Sequence, residues 1–182
     1  MTAGDLAGHF REMARNNRWA NRRLLDAVCT LSPADFLAER TSFFPSLAAT
    51  LNHNLAIDRY YLDALEGGGL GRRAYLEFEE FDDAAALSAA QKEQDRRLIA
   101  YCDALTPERL AESVATDRPG HGKVRESVSN LLAHLFQHQI HHRGQAHAML
   151  AGTGVEPPQL DEFFLDFDRH PLAAAILRDE EI

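Results

Sequence analysis

From Leu6 onward, apolar positions recur at Phe10, Met13, Ala20, Leu24, Val28 and Leu31. At about 100° per residue they fall in one wedge, which predicts a long amphipathic helix. Ser32-Pro33 then supplies a cap and a first-turn proline, predicting a short helix over 34–39. A second long helix follows Pro45-Ser46 and runs to Glu66, where Gly67-Gly68-Gly69 ends it. The segment from Leu70 to Phe81 has no period, turns acidic toward its end and reads as a surface connection. A third long helix starts at Asp82 or Asp83 and sets Leu87, Leu98, Tyr101 and Leu105 on one face; Thr106-Pro107 ends it and opens another short capped segment. A fourth starts between Arg125 and Ser127, beyond the Arg118-Pro119-Gly120 turn, and continues to Gly152, a length of about seven turns.

Leu31-Ser32-Pro33 and Leu105-Thr106-Pro107 stand at corresponding places, so the halves look like a duplicated helical hairpin. No strand alternation competes with this reading. An all-α four-helix bundle forming one domain over residues 1–182 is the expected architecture. Beyond Pro157-Pro158 the tail carries Phe163, Phe164, Leu165 and Phe167, too apolar to leave in water, and is expected to pack on the bundle or on a neighbouring subunit.

Composition narrows the partners. Nineteen Lys and Arg against 28 Asp and Glu give a formal charge of −9, and no stripe gathers the basic residues along a surface that would follow phosphates. Nucleic acid is therefore not an expected partner. The N-terminal sequence lacks a secretion signal and the apolar runs are too short to cross a bilayer, so a cytoplasmic protein is expected. Two cysteines make no disulfide framework; Cys29 and Cys102 read as small core residues. Glycine loops for phosphates, nucleophile elbows, paired-cysteine ribbons and the His-Glu-x-x-His signature are all missing, leaving metal chemistry or binding.

The chemistry-bearing stretch is His138-Gln-Ile-His141-His142-Arg143-Gly144-Gln145. His138 and His142 stand four residues apart on a helix, close enough for two imidazoles to meet one cation. With Leu131 as origin they lie within about 40° of the apolar stripe, His134 and His141 lie about 60–80° off it, and His147 nearly opposite. On the second helix His53 shares its wedge with Ser46, Ile57, Tyr60 and Ala64. Spacing alone leaves two readings open: hydrogen-bonded core histidines, or His53, His138 and His142 as ligands of one metal ion. His134 with His138 is the rival pair. Three imidazoles suit zinc, nickel, copper or iron better than magnesium or calcium and leave one position for water or substrate.

Other polar residues are less committed. Asn17 and Gln94 sit within the apolar stripes of the first and third helices as hydrogen-bonded core residues or cavity linings. Tyr60 reads as a packing residue. Arg143 points away from the stripe and suits a loop cap or an anionic substrate.

Arg18-Trp19-Ala20-Asn21 on the first helix, Leu51-Asn52-His53 on the second and His138 to Gln145 on the fourth together resemble the DinB superfamily of DinB/YfiT-like metalloenzymes, in that family's order and over nearly the whole chain. The resemblance implies an up-down-down-up bundle and a divalent metal held by His53, His138 and His142. It also implies damage-inducible expression, without kinship to the DNA polymerase that shares the name. Some relatives are thiol-dependent transferases or isomerases acting with a low-molecular-weight thiol such as bacillithiol or mycothiol, and members often form homodimers. Trp19, opposite the core stripe, would serve a dimer contact or lie under the tail. Two functions are thus expected to compete: a metal-dependent enzyme (a thiol S-transferase, or a hydrolase activating water) acting on a small molecule, and a stress-linked, non-enzymatic interaction protein with a structural metal.

Overall fold

The computed structural model describes residues 6–118 and 120–178. Four long helices build it: α1 (Leu6–Val28), α3 (Leu47–Glu66), α5 (Ala84–Asp103) and α7 (Val128–Ala151). Short helices α2 (Pro33–Leu37), α4 (Arg73–Leu76), α6 (Pro107–Ala111) and α8 (Pro171–Leu177) join or follow them. The caps are those the sequence announces. Ser32, Ser46, Asp83, Thr106 and Ser127 each accept a backbone N–H of the first turn. Gly67, in the left-handed region at φ 74°, closes α3.

Cross-helix contacts fix the directions. Arg15 meets Asp103 and Asn21 meets Asp95, so α1 and α5 are antiparallel. Gln91 meets Asp58 and Arg97 meets Glu66, so α5 and α3 are parallel. Tyr61 meets His134 and His53 meets His138, so α3 and α7 are antiparallel. The bundle is up-down-down-up. Its neighbours run α1, α5, α3, α7 around the ring, so α1 and α3 face each other across the diagonal instead of packing as the expected duplicated hairpin. The connection over residues 29–46 is long enough to carry the chain across the end of the bundle.

Two further expectations change. Ser113–Arg118 (β1) and Gly122–Ser127 (β2) pair as an antiparallel hairpin where no strand was expected. Its residues are mostly polar and half-exposed, so no apolar alternation marks it; the turn glycines Gly120 and Gly122, both at positive φ, do. In the tail, only Phe163 of the four apolar residues is buried; Phe164 and Leu165 are exposed, and Phe167 is 83% exposed. Phe163 joins Ala173 and Ile176 of α8 in covering Trp19, which is fully buried, so the tail and not a second subunit occupies that face. Cys102 is buried, but Cys29, just past the end of α1, is exposed.

The core has two apolar halves. Phe10, Tyr61, Leu62, Leu98, Leu131 and Leu135 belong to one, and Leu24, Leu51, Leu55, Leu87, Met149 and Leu150 to the other. Between them in every helix lie buried polar residues: Asn17 and Asn21, Asn54 and Asp58, Gln91 and Asp95, Gln139 and Arg143. Hydrogen bonds join them into one layer, in which Asp95 accepts from Asn17, Asn21 and Gln91 while Arg143 donates to Asn17 and Asn21. A buried layer of this kind is tolerable because its members bond to one another, with Asn54 Oδ1 and Asp58 Oδ1 left unpartnered, and it penalises any slip of one helix past the next.

Candidate metal centre

His53, His138 and His142 stand at the level of that polar layer, on the edge of the bundle between α3 and α7. Each offers a nitrogen, and the three atoms lie within 4.8 Å of one another. His53 Nε2 and His138 Nε2 are 3.1 Å apart. The rings pack at centroid distances of 4.4 Å for His138 with His142 and 4.7 Å for His53 with His142.

Local sequence makes this convergence possible. The residue after each histidine turns about 100° further round its helix, into the bundle. These successors are Asn54, Gln139 and Arg143, all members of the buried layer. Asn54 donates to Gln139 Oε1 at 2.8 Å, and Gln139 Nε2 returns a bond to the Asn54 carbonyl at 3.2 Å. That reciprocal pair sets the register of α3 on α7 and thereby places His53 against His138. Arg143 is the clear correction to the sequence reading: it is 4% exposed and points into the core. The buried arc of α7 is centred on Gln139, not on Leu131, so His138 and His142 sit at its edge and Arg143 falls within it.

The electrostatics favour neutral imidazoles. Burial, helped by His142, pushes the His53 pKa down to about 4. Burial and the neighbouring histidines push His138 to about 3. Burial also lowers His142, against an opposing hydrogen bond from Gln145. His142 Nδ1 lies 2.8 Å from Gln145 Oε1, and Gln145 Nε2 lies 3.1 Å from His141 Nε2. The tautomer that satisfies both contacts has His142 donating from Nδ1 and leaves its Nε2 lone pair free. His53 Nδ1 and His138 Nδ1 are buried without a hydrogen-bond partner.

These residues fit a metal ion. Nitrogens bound to tetrahedral zinc at about 2.0–2.1 Å lie about 3.3 Å apart, close to the His53–His138 separation. Among the described residues no carboxylate or thiol joins the group. His134, the rival ligand, is exposed, with its ring 5.3 Å from Tyr61 and 6.3 Å from His138. His147 turns away to contact the Pro158 carbonyl at 3.0 Å.

The segment read as a plain surface connection forms part of the site. Tyr75 stands edge-on to His53 at 6.3 Å, and Phe44, from the loop before α3, stacks on His53 at 4.2 Å. Two clefts open on His53. One of about 280 Å³ runs past Phe44, Asn52, Phe78 and Glu80. The other, about 310 Å³, runs past Ile57, Tyr60, Tyr61, Arg72, Leu76 and Arg118. Sequence reasoning missed Phe44 and Tyr75 because neither lies on a periodic stripe; an aromatic pair just ahead of the Ser46 cap was the signal available. Tyr60 donates to the Asp117 carbonyl at 2.7 Å, tying the hairpin to α3.

Among known proteins, the model of the DinB family matches residues 3–171. The chain belongs to the DinB family. The protein named DinB from Bacillus subtilis strain 168 is 26% identical over 150 residues, which is 80% of this chain and 86% of the relative. Among solved structures, a DinB-like protein from Bacillus cereus ATCC 10987 superposes with a TM-score of 0.62 at 17% identity, covering 79% of this chain and 89% of the other. A DinB-like protein from Bacillus subtilis gives 0.55 at 16% identity, covering 86% and 97%. At those identities the two structures speak for a shared DinB fold. No helix of this DinB-family chain among the described residues is long and apolar enough to cross a membrane.

Proposed function

We propose that this DinB-family protein is a metal-dependent enzyme in which His53, His138 and His142 hold one divalent cation and a low-molecular-weight thiol is the nucleophile. The observation that carries the reading is the convergence of three neutral imidazoles, without a fourth protein ligand among the described residues, where two clefts open on His53. Nitrogen donors favour zinc or nickel over magnesium or calcium. When bound, the cation supplies a Lewis acid that lowers the pKa of a thiol at the open position.

The side chains set the conditions for that chemistry. Near neutral pH the histidines are neutral imidazoles, each keeping one N–H and leaving the lone pair of its other ring nitrogen available. Gln145 fixes the tautomer of His142, and Phe44 and Tyr75 pack against the His53 ring. In the transfer, the thiol releases its proton to solvent, its sulfur bonds the electrophilic carbon of the second substrate, and the leaving group departs with its electron pair. A purely structural metal would need a core filled up to the histidines, and clefts of about 280 and 310 Å³ reaching His53 favour the enzyme.

The test is turnover of electrophilic substrates with a panel of low-molecular-weight thiols, using zinc-loaded, nickel-loaded and chelated protein beside His138→Ala. Rates that need both metal and thiol and vanish in the variant are expected. Metal-loaded protein showing no thiol-dependent rate above the variant would remove the reading.

A further inference from the structure

Resting on the metal-dependent reading, we infer that the cleft between α3, the α4 turn and the end of β1 recognises a ligand with an anionic group, held by Arg118 and Arg72, whose apolar body lies on Tyr75, Leu76 and Ile57 and whose reactive end reaches His53. The cleft measures about 310 Å³, the lower end of the range for small-molecule sites. Its lining has a direction. Along α3 it runs from His53 past Ile57 to Tyr60 and Tyr61, where Arg118 lies over the Tyr61 ring, and Arg72, Tyr75 and Leu76 line it from the α4 turn.

Charge points the same way. In a chain of formal charge −9, this cleft gathers two guanidiniums against one carboxylate, Asp117. Several arginines at the surface here have an acidic partner, as Arg73 has Glu77, Arg97 has Glu66 and Arg109 has Glu112. Arg118 instead lies over the ring of Tyr61, 5.2 Å from its centroid, where the aromatic face and a hydrogen bond with the Tyr61 side chain position the cation and leave the remaining N–H groups of its planar fork able to take an anion. Neighbouring Tyr60 has its hydroxyl committed to the Asp117 carbonyl at 2.7 Å, which anchors the strand end carrying Arg118. An arginine fork held in place loses little freedom on binding a carboxylate or phosphate.

The experiment uses full-length protein loaded with cobalt(II), whose visible spectrum reports both uptake and ligand binding. Two thiols of matched shape are titrated: 4-(mercaptomethyl)benzoate and its uncharged carboxamide. The carboxylate should bind about tenfold more tightly. Arg118→Gln should bring the two to similar affinities with cobalt uptake unchanged, and Arg72→Gln should reduce the preference in part. Equal affinities in the cobalt-loaded wild type overturn this inference alone, and need no variant to fold. A preference that survives in both variants also overturns it. Cobalt-loaded protein that binds neither thiol, or protein that takes up no cobalt, overturns the reading beneath it and this inference with it.

Discussion

Asn54 and Gln139 hold each other twice across α3 and α7, side chain to side chain at 2.8 Å and side chain to carbonyl at 3.2 Å, each one residue past a histidine of the candidate centre. The pair couples the fold to the site: the same register that makes these two bonds brings His53 Nε2 to 3.1 Å from His138 Nε2. Gln139→Leu should therefore leave Asn54 without its acceptor and cost about 1–3 kcal/mol, while weakening metal uptake although no histidine is altered. Urea denaturation together with a zinc titration checks both; unchanged zinc affinity in a destabilised, folded variant would show that register and site are independent.

Metal should stabilise the fold through all three histidines. Zinc at about 100 times its dissociation constant adds about 2.7 kcal/mol to unfolding. Melting curves with and without zinc should show that rise in the wild type and its loss in His53→Ala, His138→Ala and His142→Ala, with His134→Ala behaving as wild type. A zinc response that persists in the first three but fails in His134→Ala would move the site.

Acid should weaken the metal-free protein in a definite window. Folding holds His53 at about 4 and His138 at about 3. In the unfolded chain these residues take protons from about 6.5 downward. Between those limits the unfolded state binds more protons, so stability present above about 6.5 is lost progressively as pH falls through the folded values. Urea midpoints from pH 7.5 to 4 should fall less steeply for His138→Leu than for wild type; parallel profiles would refute the assignment.

The two buried carboxyls should answer differently. Burial, then the charge of Asp95, raises Asp58 to about 7, and burial raises Asp95 to about 6 against bonds from Gln91 and Asn21. Arg143 can balance one negative charge, and Asp95, the lower of the two, is the one to carry it. A raised carboxyl pKa gives stability that is full below the unfolded value and is lost as pH rises through the folded one. Asp58→Asn should therefore be tolerated and flatten the profile between pH 5 and 8. Asp95→Asn, which leaves Arg143 buried without its nearer counter-charge, should cost about 3 kcal/mol or more at pH 7. Equal effects of the two variants in chemical denaturation would contradict this division.

Much of the site was legible from helical geometry alone. His138 and His142 share a face because any α-helix puts i and i+4 together, and Ser46, Asp83 and Ser127 mark helix starts because a short oxygen-bearing side chain there completes orphan N–H groups. Arg143 was misjudged because the wheel was centred on Leu131, and a charged residue in the arc reads as surface until its partners on three other helices are known. Phe44, Tyr75 and Arg118 come from loops and a strand end, whose positions depend on what they pack against.

The sequence by itself determined the four long helices, their caps and the pairing of His138 with His142 on one helix face, since each follows from chemistry acting within a few residues along one helix. Only the tertiary structure decided which helices are neighbours, that a polar layer divides the core, that the tail covers Trp19, and that clefts lead to His53. The reason is physical: local periodicity specifies which face of a helix avoids water, but the partner for that face is chosen by register, buried hydrogen bonds and shape across segments distant in the chain.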